Sequence, residues 1–308
     1  MDSGTKRYKD LNTFLRNYFG ERVQKVSVDA GFTCPNRDGK VSYGGCTYCN
    51  PRGSGTGAYS QKIPVGDQLE SGKKRIGKRY KAKKFLAYFQ SYTNTYGSRD
   101  YLKKIYDEAL SVEGVCGLCI GTRPDCIDEE KIAVFEEYAK RGNLVWMEYG
   151  VQSIHDKTLK RINRGHDFKC FEKAVEITRN KGIYICAHVI LGLPGETRQD
   201  MVETAVKLSQ MGVDGVKLHM LYVVKDSLME KEFEDKTLRC LTQKDYVEAA
   251  SDFIEHISKE MVVHRVTGDP HIDELVAPFW SLRKDETLKM INKELEKRGT
   301  KQGSHSVI

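Results

Sequence analysis

Apolar residues fall into short, nearly continuous runs separated by stretches with helical spacing. Six runs read as buried strands: Val23–Asp29, Lys84–Gln90, Val115–Gly121, Leu144–Gln152, Ile183–Leu191 and Gly215–Tyr222. Between them, apolar positions recur at three- and four-residue intervals. That spacing predicts helices over Gly66–Arg79, Arg99–Ser111, Asp128–Arg141, Asp167–Lys181 and Thr197–Met211, with two more near Thr242–Ser258 and Lys284–Lys297. Strand and helix in alternation predict parallel strands joined by right-handed crossovers. Strands that are apolar throughout are covered on both faces. Polar residues gather at the C-terminal ends of the runs: Cys34 after the first, Gln90 and Ser91 at the second, Arg123 and Asp125 after the third. Glu148 and Gln152 stand at the fourth, His188 in the fifth, and His219 and Tyr222 in the sixth. Convergence of every strand on one mouth favours an α/β fold of the incomplete (βα)6 barrel type over an open doubly wound sheet. Residues 1–225 are assigned to this core, and 226–308 to a C-terminal helical extension packed on it.

Composition narrows the setting. A chain of 308 residues with 39% hydrophobic content can bury a core of barrel size and is not a disordered chain. Nine cysteines is an odd count, which argues against a closed disulfide framework. The first ten residues lack the apolar core of a signal peptide, and no apolar run nears the roughly 20 residues of a membrane span. A reducing cytoplasm is the expected setting. The net charge of +7 (50 basic minus 43 acidic) is modest, but it is unevenly spread. Lys73, Lys74, Arg75, Lys78, Arg79, Lys81, Lys83 and Lys84 crowd twelve positions. Such a cluster neutralises phosphates, with Tyr80 placed to stack on a base. A solvated helix face explains it equally well.

Three cysteines carry the chemistry. Cys34, Cys46 and Cys49 share one glycine-dotted loop after the first strand. Three thiolates suit an iron–sulfur cube with one iron left open, or a zinc site whose fourth ligand comes from elsewhere. His155, the next histidine, lies far along the chain. Spacing alone leaves both readings open. Cys116 and Cys119 lie on a strand, where residues three apart point to opposite faces, so they read as core cysteines. Cys126, Cys170, Cys186 and Cys240 stand alone and read likewise.

Taken together, the motifs resemble those of the radical S-adenosylmethionine (SAM) superfamily. Cys46-Thr47-Tyr48-Cys49 is similar to its ending of cysteine, any residue, aromatic, cysteine, and Gly192-Leu193-Pro194-Gly195-Glu196-Thr197 to the motif closing its fifth strand. Gly121 to Asp125 and Asn163 to His166 are similar to motifs of the branch containing the Elongator catalytic subunit. With Tyr88 to Tyr96 and Val263 to Asp269, the set looks most like the bacterial YhcC/YtqA (MnmL) family. Two departures stand out. Eleven residues separate Cys34 from Cys46, against a usual three, and Gln90-Ser91-Tyr92 replaces the usual Gly-Gly-Glu.

The resemblance implies a [4Fe–4S] cluster on Cys34, Cys46 and Cys49, with SAM on the open iron and a 5′-deoxyadenosyl radical that abstracts hydrogen from the substrate. It implies Tyr48, Gly192 and Pro194 near the adenine or ribose, and Gln90 as an acceptor for the methionine amino group. Arg123 or Arg164 would hold the methionine carboxylate or a substrate anion. Glu148 and Gln152 would bind ribose hydroxyls, unless Glu148 pairs with an arginine. His188 joins the cofactor set, although a strand histidine also reads as a satisfied core residue; Tyr222 is a candidate substrate contact or radical quench. The implied substrate is transfer RNA, at the C5 side chain of the wobble uridine on the path from carboxymethylaminomethyl to aminomethyl or methylaminomethyl. An electron donor such as flavodoxin or ferredoxin is the expected partner. The alternatives are the same chemistry on a small molecule such as a tetrapyrrole, and a zinc-stabilised RNA-binding module without catalysis.

Overall fold

The computed structural model describes residues 6–50 and 63–307. The first helix, α1 (Leu11–Phe19), starts where the Asp10 carboxylate caps the Thr13 amide at 2.8 Å and stops at Gly20 in the left-handed conformation. Strand and helix then alternate through β1 (Val23–Val28), α2 (Val65–Tyr80), β2 (Lys84–Phe89), α3 (Arg99–Ser111), β3 (Val115–Thr122), α4 (Glu129–Lys140) and β4 (Leu144–Gln152). The chain continues through α5 (Asp156–Arg161), α6 (Phe168–Thr178), β5 (Tyr184–Leu191), α7 (Arg198–Gln210) and β6 (Gly215–Met220). Beyond these come β7 (Val223–Val224), α8 (Leu228–Glu234), α9 (Gln243–His256), β8 (Val262–Arg265), β9 (Leu275–Ala277) and α10 (Lys284–Lys297).

Seven strands form one parallel sheet in the order β1-β2-β3-β4-β5-β6-β8. The sheet curls into a half-barrel, and β1 and β8 stay unpaired with each other. The six expected strands are present with ends shifted by at most two residues. The seventh, β8, was not expected as a strand: it is four residues long and ends on His264 and Arg265, so its apolar signature is only Val262-Val263. It comes from beyond residue 225, so the C-terminal segment completes the sheet as well as adding helices.

Two apolar layers result. The outer one lies between the strands and α2 to α9, with Phe89, Tyr106, Phe135 and Phe171 fully buried in it. The inner one fills the lower end of the half-barrel with Leu15, Leu86, Leu144, Trp146 and Val262. Helix α1 closes this end, its Phe14 ring edge-on to Trp146 (5.6 Å) and Tyr184 (5.5 Å). The space above the inner layer, towards the C-terminal ends of the strands, stays open and polar. No helix of the described residues is long and apolar enough to cross a membrane.

Cys116 and Cys119 refine the alternation argument. The β2–β3 register shifts between Phe85 and Leu86, and both cysteines pack on the inner layer instead of facing opposite ways. They remain core residues: burial pushes their thiols up to about 11 and about 12.

Candidate active site

A cavity of about 670 Å³ opens at the C-terminal ends of the strands and runs down inside the half-barrel. The cysteine loop after β1 lines it together with residues of the C-terminal segment, including Arg265, Asp269 and Glu274, and Asn50 next to Cys49 donates to Glu274 at 3.1 Å. Cys34, Cys46 and Cys49 all line it.

The loop is held by the segment after α5, Asn163-Arg164-Gly165-His166. Asn163 donates its side-chain amide to the Gly45 carbonyl (2.8 Å), and Asn36 donates to the Asn163 carbonyl (2.7 Å). Arg164 lies 3.5 Å from the Cys46 sulfur through Nη1 and donates through Nη2 to the Gly150 carbonyl at 2.5 Å. Its backbone carbonyl accepts from Arg123 at 2.8 Å. Burial raises the Cys46 thiol, but the Arg164 guanidinium, with Arg123 behind it, outweighs burial and holds the thiol below the ordinary cysteine range. Burial, with the Cys46 charge, pushes Cys49 up to about 11 despite Arg37. Gly165 has φ +74°, and a Cβ there would stand 2.5 Å from Asn36 Oδ1 and 2.9 Å from Val41. Gly165→Ala therefore strains the backbone by at least about 1 kcal/mol and pushes the cysteine loop off its seat. The expected result is less iron bound per chain after reconstitution with the melting temperature little changed, measured by iron and sulfide analysis beside a thermal melt.

Below the loop lies a charged floor. Glu148 on β4 is fully buried, with Lys25 of β1 at 2.5 Å, His188 of β5 at 2.7 Å, and Lys217 of β6 and His264 of β8 each at 3.5 Å. Burial alone would raise this carboxyl; Lys25 and Lys217, with hydrogen bonds from His188 and His264, hold it well below the usual carboxylate range. Burial pushes Lys217 down to about 7 against the pull of Glu148. Burial also keeps His188 and His264 neutral, down to about 3 and about 4. The Lys25 and Lys217 ammoniums lie 4.7 and 4.5 Å from the Tyr88 ring centre, and Lys217 donates to the Tyr88 hydroxyl.

The structure sorts the sequence-derived candidates. Tyr48, Gln90, Arg123, Glu148, Gln152, Arg164, His188 and Tyr222 line the same cavity as the three cysteines. Arg123 is 2% exposed and sets its guanidinium fork on Asp125 at 2.9 and 2.7 Å, so its side chain is engaged within the protein, as is that of Arg164. Glu148 is paired, but with lysine and histidine in place of arginine. Gly192 and Pro194 stand outside the cavity lining; Gly192, at φ +86°, backs onto Leu241, where a Cβ would come within 2.9 Å. Thr197 caps α7 in a reciprocal pair with Asp200. His155 lies 3.8 Å from both Asp200 and Glu203, away from the cysteine loop. The lysine-rich stretch lies on the outer flank: Tyr80 accepts from Arg22 and Lys84 pairs with Glu21 (3.1 Å), both next to the start of β1. This dense end of α2 is at the opposite end of the barrel from the mouth. Sequence reading missed Lys25, Lys217, His264 and Arg265. A charged residue in a strand reads as facing solvent, whereas the shared period of Val23 with Lys25 and of Lys217 with His219 would have placed them inward.

Residues 34–208 match the model of the radical SAM superfamily, and residues 213–297 that of the radical SAM C-terminal domain. The chain belongs to the radical SAM superfamily. Within it the chain is a member of the YhcC/YtqA family: YtqA of Bacillus subtilis is 43% identical over 298 residues, spanning 97% of this chain and 92% of the relative. More distantly, the tRNA uridine(34) acetyltransferase of Methanocaldococcus infernus is 25% identical over 185 residues, 59% of this chain and 33% of that enzyme. In fold, the chain is similar to an N-terminally truncated Elp3 of the archaeon Methanocaldococcus infernus, with TM-score 0.66, 18% identity, and coverage of 91% of this chain and 64% of that one.

This radical SAM protein uses a [4Fe–4S] cluster and SAM. The donor set fits such a cluster. Sulfurs bound to one zinc ion at about 2.3 Å stand about 3.8 Å apart. Among the described residues, the sulfurs of Cys34, Cys46 and Cys49 do not all come within 4.8 Å of one another. As placed, the three sulfurs are not gathered around a single-ion position, which is compatible with the larger cluster.

Proposed function

We propose that this radical SAM enzyme modifies transfer RNA, at the C5 side chain of the wobble uridine on the path from carboxymethylaminomethyl to aminomethyl or methylaminomethyl. The observation that carries the reading is the similarity of 59% of the chain to a tRNA uridine(34) acetyltransferase. The exposed cations of α2 and its C-terminal flank support it, since a helix of 16 residues is about 24 Å long and a polymer can reach both the mouth and that flank. In this reading Cys34, Cys46 and Cys49 would hold the cluster, which, once reduced by an external one-electron donor, would supply the electron that splits SAM into methionine and a hydrogen-abstracting 5′-deoxyadenosyl radical.

The chain's own residues do the rest. Arg164 and Asn163 hold the cysteine loop against β4. Tyr48 and Gln90 line the same cavity as the cysteines, where SAM binds in this reading. Glu148 and its partners keep the floor rigid below the reacting atoms. Tyr222 stands at the mouth, pressed against Gly268, where a Cβ would lie 2.9 Å from its ring. The test is a comparison of transfer-RNA nucleosides from cells with and without the gene. Loss of the end product with accumulation of the carboxymethylaminomethyl nucleoside is expected. An unchanged profile overturns the reading in favour of a small-molecule substrate.

A further inference from the structure

The inner wall carries more positive charge than its carboxylates match. Glu148 is taken by Lys25 at 2.5 Å. At the mouth, Asp269 pairs with Lys284 at 3.2 Å and Glu274 accepts from Asn50 at 3.1 Å. Lys217 donates to the Tyr88 hydroxyl and has a distant share of Glu148, at 3.5 Å. Arg265 has less: Nη2 lies 2.7 Å from a ring nitrogen of His219, Nε is buried with no partner, and no ion pair to a carboxylate is found among the described residues.

A backbone irregularity puts this arginine there. Val216 pairs with Val263 and Lys217 with Arg265, so His264 is an extra residue in β8. Regular alternation after Val262 and His264 would turn Arg265 to the outer face. The bulge turns it inward, and His264 and Arg265 line the cavity together. Arg265 thus stands beside Lys217, a guanidinium and an amine on neighbouring strands facing one space; an anion seated between them would favour the charged form of the amine.

We propose that Lys217 and Arg265 form a seat for a carboxylate on the reacting side arm of the substrate, so that this pair selects an acidic arm over a neutral or basic one. The proposal rests on the reading that a base with a side arm enters the barrel. A guanidinium fork matches the two oxygens of a carboxylate, and a second cation beside it strengthens the match in a water-poor site. In the proposed function the carboxylate of SAM is taken up at the open iron beside the cysteine loop, and melts with and without SAM separate it from a carboxylate of the substrate. Backbone phosphates stay outside, because the base has to enter ahead of them.

The test does not need the RNA. The holoenzyme with saturating SAM is melted anaerobically in rising acetate, acetamide or inorganic phosphate at fixed ionic strength. A saturable rise in melting temperature is expected with acetate and not with acetamide. Arg265→Met should weaken the apparent acetate affinity about tenfold, the loss of one charge-assisted contact, with partial recovery in Arg265→Lys. Should Arg265→Met not fold, Lys217→Met is judged on the same terms. Equal responses to acetate and acetamide, or an acetate response intact in the variants, overturn the proposal. So does tighter binding of phosphate, or an acetate response seen only without SAM, which would assign the pair to the carboxylate of SAM. An acetate response as expected beside an unchanged nucleoside profile would overturn the RNA reading and leave the seat standing.

Discussion

Cys46→Ala abolishes SAM cleavage and leaves the reconstituted protein nearly colourless. Cys46 is 5% exposed and is the cysteine that Arg164 and Asn36 both approach, at 3.5 and 3.6 Å. A thiolate is the iron ligand, and Arg164 favours the thiolate at this position. In the proposed role it is one of three ligands, and its removal also takes the 3.5 Å sulfur contact from Arg164, which is buried with Nε already unpartnered. The apoprotein therefore loses about 1–3 kcal/mol as well, the cost of an unsatisfied buried donor. Iron analysis and 5′-deoxyadenosine formation under reduction are the measurements. Cys170→Ala, on the outer face of α6 away from the cavity, serves as the control and keeps both. Iron and cleavage at normal levels in Cys46→Ala would remove this cysteine from the cluster.

Glu148→Gln destabilises the fold more than any other single change in the floor. The carboxylate is the only anion among Lys25, Lys217, His188 and His264, and it is fully buried. Breaking a buried pair by removing one partner costs about 3–5 kcal/mol, because the remaining charge stays buried. For a chain of this size that lowers the melting temperature by roughly 5–8 °C. Adding Lys25→Met to Glu148→Gln should recover part of the loss, since the stranded charge is then gone. A single variant that melts within about 1 °C of the parent would show that the floor ionises differently from the arrangement described.

Much of the fold was legible because the barrel strands are apolar on both faces and the helices amphipathic. The β4 run Leu144–Gln152 and the α3 run Arg99–Ser111 coincide with their elements, since each has a sharp start or cap: Ser98 caps Tyr101 at 3.3 Å. The cysteine loop was legible as a ligand set because three cysteines in a polar, glycine-containing segment have no packing explanation. The floor was not, for a physical reason. Its charges come from five strands spread over 240 positions, and each alone looks like a surface lysine or a core histidine. Only the curl of the sheet shows that their common face is an interior. Arg265 was further hidden by a bulge, which breaks the period that would otherwise have assigned it a side. The two motif arginines read as ligands for an anion; the structure adds that Arg164 contacts the cysteine loop and that Arg123 donates to the Arg164 carbonyl, contacts that spacing cannot reveal.

The clasp between Cys46 and Arg164 also sets an order of events during synthesis. These residues are 118 positions apart. At ribosomal rates of 5–20 residues per second, the thiols are made about 6 to 24 s before the arginine that settles one of them. During that interval the loop lacks its clasp, and its thiols are open to stray metal and oxidation. In the proposed role of these cysteines, a settled seat for the cluster would await completion of β4, α5 and the segment after it, and a chain ending before residue 164 would lack the clasp.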